Sequence, residues 1–303
     1  MSSINIDLPL LLLYEKKGFA VIFAFFSHGD ELSEKKPPYN SQMSNVPAVD
    51  RILIYPIKSL EGVAVPEAGI VAGGGLRHDR EFALFDSDGK WINGKRDARI
   101  HRIRAEYNLS EFCVTLRSEP DSSSEQFYLS EDRQRLEEWF SGFFGFRVHI
   151  RRNEDGGFPD DTQSPGPTII SSATLDEVGS WFGIVDREEV RRRFRANIEL
   201  RAVPAFWEDR LYGREGEPVV FRMGEVVLHG VNPCQRCAVP SRNSRTGVVM
   251  ENFQRRFAEQ RAATLPAWAA VSRFNHFYRL SVNTRIPASQ AGKKVCAGDR
   301  VTI

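Results

Sequence analysis

Cysteine is scarce in this chain: four residues in 303, at positions 113, 234, 237 and 296. They are too few and too scattered for a disulfide framework and suit a reducing compartment, so a cytoplasmic protein is expected. Long apolar runs are also missing. Leu8 to Leu13 and Phe19 to Phe26 are apolar, but Glu15, Lys16 and Lys17 divide them, and neither half reaches the roughly 20 residues of a membrane span. A secretory leader would place basic residues before the apolar run, whereas the chain opens MSSINIDLP. No membrane span is expected. Charge of one sign is not in excess either, with 41 basic against 40 acidic residues. That balance gives no nucleic-acid signal and leaves partners to be argued locally. Neither G-x-x-x-x-G-K-[ST] nor G-x-G-x-x-G occurs, so Gly73-Gly74-Gly75 is a weak phosphate-loop signal. No internal repeat of 20 to 50 residues stands out.

What is present reads as mainly β with α, an α+β chain in three parts. Residues 1–48 form an extension and linker, polar from Glu31 to Ser44 with Pro37 and Pro38, and dispensable to the fold beyond a start at Met43. Residues 49–150 read as a β-barrel-like module. Strands are expected at Arg51–Ile57 and Val63–Pro66, with a hairpin around Asp88-Gly89, further strands at 100–108, 111–117 and 127–129, and a polar loop from Ser118 to Gln126. Leu136, Trp139, Phe140 and Phe143 have helical spacing. Residues 151–303 form a second, barrel-like domain with a few helices. It is entered through the turn-rich GGFPDDTQSPGP of Gly156–Pro167, a boundary or a pocket-lining loop. A helix is expected with Thr174 as N-cap and Glu177 completing a capping box. Phe194 to Leu200 alternates like a strand, with Phe194, Ala196 and Ile198 on one face and Arg193, Arg195 and Asn197 on the other.

The chemistry concentrates in Asn232–Gly247, NPCQRCAVPSRNSRTG, which follows the apolar Val226-Val227-Leu228. Cys234 and Cys237 have the spacing of half a zinc site, but the other two cysteines are remote. A thioredoxin-like pair would open a helix in a βαβ setting that is missing here. Two inert buried thiols remain an alternative. Arg236 between them favours a thiolate, which suits a soft or high-valent metal. The row Arg193, Arg195, Asn197 is either a solvated strand face or a fork for phosphate or an anionic heterocycle. Lys58-Ser59 ends the first strand with a cation and a hydroxyl. No oxyanion-hole signature supports Ser59 as a nucleophile.

Together these pieces resemble the MOSC superfamily. ILIYPIKSLEGVAV and GLRHDREFAL resemble the β-barrel module that precedes MOSC domains; RFRANIEL, FWEDRLYG, NPCQRCAVPSRNSRTG, FNHFYRLSVNTRI and GDRVTI follow in MOSC order. The resemblance extends to the mitochondrial amidoxime-reducing component and bacterial MOSC-domain reductases. It implies a molybdenum cofactor (Mo-molybdopterin), with Cys237 as the metal ligand and catalytic centre. It further implies Lys58, Ser59, Arg80, Ser171, Thr174, Arg193, Arg195 and Asn197 as cofactor contacts, with Arg236 beside the metal ligand. Ala196 stands where the family usually has proline. No clustered cysteines follow, so electrons would come from an external donor protein (a flavin, haem or iron-sulfur reductase) and reduce a small N-hydroxylated substrate. Pyridoxal phosphate is not expected. The alternative is a sulfur carrier holding persulfide sulfur on Cys237 or Cys234.

Overall fold

Ile52, Leu53 and Ile54 are all buried, as a strand covered on both faces requires. They belong to β1 (Ala48–Ile54), followed by β2 (Val63–Val65), β3 (Glu67–Gly69), β4 (Phe82–Phe85), β5 (Ile103–Asn108), β6 (Cys113–Ser118) and β7 (Ser124–Tyr128). Helix α1 (Arg133–Phe144), β8 (His149–Arg152), β9 (Ile169–Ser171), α2 (Ser172–Phe182), α3 (Arg187–Phe194) and β10 (Ile198–Arg201) come next. The chain continues through β11 (Val219–Met223), β12 (Val226–Gln235), α4 (Phe253–Ala263), β13 (Arg279–Arg285), β14 (Lys294–Cys296) and β15 (Val301–Thr302). The computed structural model describes residues 46–119 and 123–303; the expectations for the N-terminal extension up to residue 45 lie outside the described residues. The architecture is mainly β with α. Among the described residues no helix is long and apolar enough to cross a membrane.

One eight-stranded sheet organises the molecule, in the order β15-β11-β12-β13-β9-β10-β1-β2. Its only parallel pair here is β9 with β10, and a parallel pair needs a crossover, which α2 and α3 supply. Strand β1 pairs antiparallel with β10, so the start of the described chain lies in the same sheet as the cysteine-bearing β12. The main core joins Val49, Ile52 and Ile54 to Ile198, Leu228 and Val282. A second core, with Leu84, Val114, Phe127, Phe140 and Ile150, fills the region of β4 to β8 and α1. An aromatic cluster of Trp181, Phe206, Phe253, Phe257 and Tyr278 joins α2 and α4 to β13.

Four local expectations need correction. The N-cap of α2 is Ser171, whose Oγ accepts from Thr174 N at 3.0 Å; Thr174 is the third helical residue, and Glu177 accepts from Trp181 Nε1 at 3.0 Å. The strand expected from Phe194 to Leu200 begins only at Ile198, as β10; Phe194 ends α3, because Asp186 caps the helix and Arg193 donates to Glu189 one turn back at 2.7 Å. The hairpin at Asp88-Gly89 forms its turn, yet its return strand is a single bridge from Trp91 to Phe85, since β4 takes β8 as its partner. The loop expected up to Gln126 gives way to β7 from Ser124, while residues 120–122 lie outside the described residues.

Candidate functional site

A cleft of about 1220 Å³ opens between the parts of the chain before and after residue 150. Lys58, Ser59 and Arg80 line it from one part, and Arg193, Arg195, Arg236 and both Cys234 and Cys237 from the other. The turn-rich segment contributes Pro159 to Asp161 and Ser164 to Gly166, the pocket-lining role that its composition offered as one of two options.

Three of these residues sit where an L side chain is uncomfortable. Ser59 (φ 75°), Arg80 (φ 50°) and Arg195 (φ 54°) occupy the left-handed region, each at a cost of order 1–3 kcal/mol that the surrounding fold must offset. Arg195 is the C-cap of α3, a position where glycine is usual. A guanidinium stands there instead. It packs over the Tyr55 ring at 4.2 Å, and it has no hydrogen bond or ion pair to its side chain among the described residues. Burial and the nearby Arg80 cation both push its pKa down.

Arg80 is more constrained. It donates to Asp79 and, at 3.3 Å, to Asn197 Oδ1, and lies 5.6 Å from the centroid of the same Tyr55 ring. Burial raises the Tyr55 hydroxyl to about 12 against the pull of Arg195 and Arg80, so it stays a neutral donor, to Ala196 O at 3.3 Å. Lys58 donates to Phe158 O at 2.8 Å, pairs with Asp160 at 2.7 Å and sits 4.6 Å from the Trp91 ring. Burial lowers its pKa, and Asp160 partly restores it. The Asp160 side chain is exposed, and against the desolvation of the surrounding protein Lys58 and Arg80 hold its carboxyl below the usual range. His101 also lines the cleft, its Nε2 buried without a partner; burial, then Arg195 and Arg242, hold it near 4. The imidazole is neutral at pH 7.

The thiol segment is fixed by β13 and α3. Arg236 N donates to Tyr278 O at 3.1 Å and Tyr278 Oη donates to Cys237 O at 3.0 Å, which clamps the backbone of Cys237. Val239 N points at Cys237 Sγ from 3.5 Å. The following loop is tied to α3: Arg193 donates to Pro240 O at 3.4 Å, and Glu189 accepts from Ser244 N at 2.9 Å and from the Ser244 hydroxyl. The Arg236 guanidinium goes to Cys234 Sγ (3.2 Å), Ser281 Oγ (3.4 Å) and Phe194 O (2.6 Å), not to Cys237. Both thiols are free and half-buried, so the alternative of two buried thiols does not fit.

The remaining expected contacts are scaffolding. Ser171 and Thr174 are fully buried away from the cleft; they bond each other at 2.8 Å, and Thr174 Oγ1 accepts from Phe206 N at 2.6 Å. Asn197 is likewise buried, accepting from Thr168 N (3.2 Å) and Arg80 and donating to Leu53 O (3.1 Å), so it ties β1 to β10 and aims Arg80. Arg193 is neutralised by Glu189. The glycine triplet serves close packing: a Cβ on Gly73 would stand 2.5 Å from Asp155 O. Sequence reasoning missed Tyr55, His101, Asp160, Arg273 and Arg279. Only Tyr55 and Asp160 carried a signal, as neighbours of Lys58 and of the turn-rich loop. Among the described residues no three His, Cys, Asp or Glu side chains gather as a metal site, so the zinc reading finds no ligand set.

Two family models match this chain, the MOSC N-terminal beta barrel domain over residues 46–146 and the MOSC domain over residues 168–302. The chain belongs to the MOSC family. It is 27% identical over 239 residues to a molybdenum cofactor sulfurase of Drosophila grimshawi, covering 66% of this chain and 29% of that protein. Over 241 residues it is 23% identical to mitochondrial amidoxime-reducing component 1 of Danio rerio, covering 68% of this chain and 72% of the relative. A molybdenum cofactor sulfurase of Oryza sativa subsp. japonica is 22% identical over 246 residues, 66% of this chain and 29% of its own length. The chain thus spans about three tenths of the sulfurases it matches.

Proposed function

We propose that this protein is a molybdenum-cofactor oxidoreductase that reduces N-hydroxylated small molecules with electrons from a separate protein. The observation that carries the reading is Arg195, a guanidinium held in a left-handed cap, without a carboxylate, in the same cleft as two free thiols. Arginine cannot shed its proton. A half-buried one with no ion pair of its own, Asp160 acting on it only from a distance, suits an anion, and the cofactor of this family is an anionic pterin whose metal a thiolate ligates.

In this reading Cys237 holds the metal and Lys58, Ser59, Arg80 and Arg195 hold the phosphate. The Ser59 hydroxyl, free of protein partners among the described residues, donates to it. Neutral Tyr55 stiffens the two arginines from beneath, and residues 49–150 and 151–303 act as two halves closing on one ligand. Once bound, the cofactor supplies two-electron transfer at a metal. The balance is R–NH–OH + 2e⁻ + 2H⁺ → R–NH₂ + H₂O, in which the N–O bond breaks. Asp160, ionised at neutral pH, cannot supply a proton there; solvent entering the open cleft can.

Denaturing the protein made in a cofactor-competent host should release a fluorescent oxidised pterin. Arg195→Gln should retain roughly 10–100-fold less of it, since a hydrogen bond to a charged group contributes about 1.5–3 kcal/mol. A wild-type protein without pterin would contradict the proposal. The second reading, a persulfide carrier, is favoured by the accessible Cys234 beside Arg236 and by the sulfurase relatives. It predicts a mass increase of one sulfur on a native cysteine and no pterin.

A further inference from the structure

The cations of the cleft fall into two groups. Lys58 pairs with Asp160, Arg104 with Glu61 and Glu119, Arg191 with Glu199, and Arg193 with Glu189. Arg195 has no ion pair but lies with Arg80 against the Tyr55 ring, and the charges acting on it are Tyr55, Arg80, Asp160 and Tyr107. Arg273 and Arg279 also line the cleft, and neither has a carboxylate partner among the described residues. The charges acting on Arg279 are a different set: Arg273, Cys234 and Tyr212. Arg279 reaches the carbonyl of Pro233, the residue before Cys234, so the second group stands on the Cys234 side of the cleft.

The fold holds this pair deliberately poised. Arg279 opens β13 opposite Gln235 of β12, with Nη1 donating to Pro233 O at 3.2 Å and Nη2 to Asn275 Oδ1 at 2.8 Å. Its Nε is buried and unpartnered. Arg273 ends a short 3-10 turn and donates to Val231 O at 3.4 Å. Burial and then the Arg273 charge lower the Arg279 pKa, with Cys234 and Tyr212 acting the other way, and Val231 O and Pro233 O, two residues apart on β12, hold the two guanidiniums beside each other. Neutral carbonyl and amide oxygens orient both groups without cancelling them. Such a pair gains most from a planar oxyanion, which accepts two parallel N–H donors.

We propose that Arg273 and Arg279 form an oxyanion subsite on the thiol side of the cleft, separate from the Lys58, Arg80 and Arg195 group, that selects substrates carrying a carboxylate. The substrate class builds on the reductase reading, but anion binding at the pair does not depend on it. A small molecule fits better than an acidic protein surface, because the pair lies within the cleft lining.

The test uses the full chain as purified, with benzoate as the probe in titration calorimetry. Benzoate binding should weaken about tenfold or more in Arg279→Gln and in Arg273→Gln, and stay unchanged in Arg195→Gln. Turnover of an aryl N-hydroxyamidine bearing a ring carboxylate should fall in kcat/KM in the first two variants, while the uncharged parent compound is unaffected. Arg273→Gln removes a single hydrogen bond and guards against a folding defect in Arg279→Gln. Equal benzoate affinity in wild type and both Arg273 and Arg279 variants would overturn the subsite, as would equal loss in Arg195→Gln, which would mean one anion site. A protein that binds benzoate through the pair but contains no pterin would sink the reductase reading and leave the subsite standing.

Discussion

Helix α3 and the residue that ends it treat the same side chain in opposite ways. Within the helix every arginine is neutralised: Arg187 by Asp176, Arg191 by Glu199 and Glu188, Arg192 by Asp186 and Glu189, Arg193 by Glu189. One residue past its last turn, Arg195 has none. The paired guanidiniums build the wall of the cleft and anchor the loop after Cys237. The unpaired one lines the cleft. A third case completes the contrast. Glu208 is 1% exposed, and neither oxygen has a hydrogen-bond partner. Burial and then the neighbouring Asp209 carboxylate raise its pKa to about 7; its own N–H, the Thr174 hydroxyl and Arg261 lie near enough to offset this only in part. An acid without a partner can escape by taking a proton, whereas an arginine cannot. Of the charges compared here, half-buried Arg195 therefore keeps its charge without an ion pair.

The largest effect is expected where a neutralised pair is broken. Arg193→Gln leaves Glu189 half-satisfied under the loop after Cys237 and should cost about 3–5 kcal/mol of stability in urea unfolding. An unchanged midpoint would mean that Arg193 is not structural and would reopen its expected role as a cofactor contact. A smaller, pH-dependent effect is expected at Glu208. Its folded pKa lies above its unfolded value of 4.5, so the folded state binds the extra proton between those two values. Its contribution to stability is fully present below pH 4.5 and is lost as pH rises through about 7. Glu208→Gln should therefore gain on wild type with increasing pH, by about 3 kcal/mol at pH 8. Parallel stability curves from pH 4 to pH 8 would show that the carboxyl is solvated after all.

These contrasts also mark what the sequence could say. Cys237, Lys58 and Arg80 were legible because each sits in a short motif whose side chains reach the cleft from local geometry. Ser171, expected as a cofactor contact, is instead the N-cap of α2, fully buried and outside the cleft lining. Arg193 and Arg195 look equivalent in RFRAN; only the helix, set by Asp186 and the Glu189 pairing four residues back, turns one inward and leaves the other free. Arg273 and Arg279 gave no signal, since their lack of partners is a property of β12 pairing with β13 and not of any local pattern. The mainly β architecture followed from short apolar runs between turn residues. The sharing of one sheet by β1 and β10 is a long-range pairing that no local pattern encodes.

Cys237 is proposed as a metal ligand in the cleft where Lys58, Arg80 and Arg195 would hold an anionic cofactor. Molybdenum content, measured by mass spectrometry on wild type and on Cys237→Ser made in the same cofactor-competent host, tests it most directly. The account predicts molybdenum stoichiometric with protein in wild type and at background in the variant, with Cys234→Ser still loaded. Equal molybdenum in Cys237→Ser and wild type, or none in either, would contradict it.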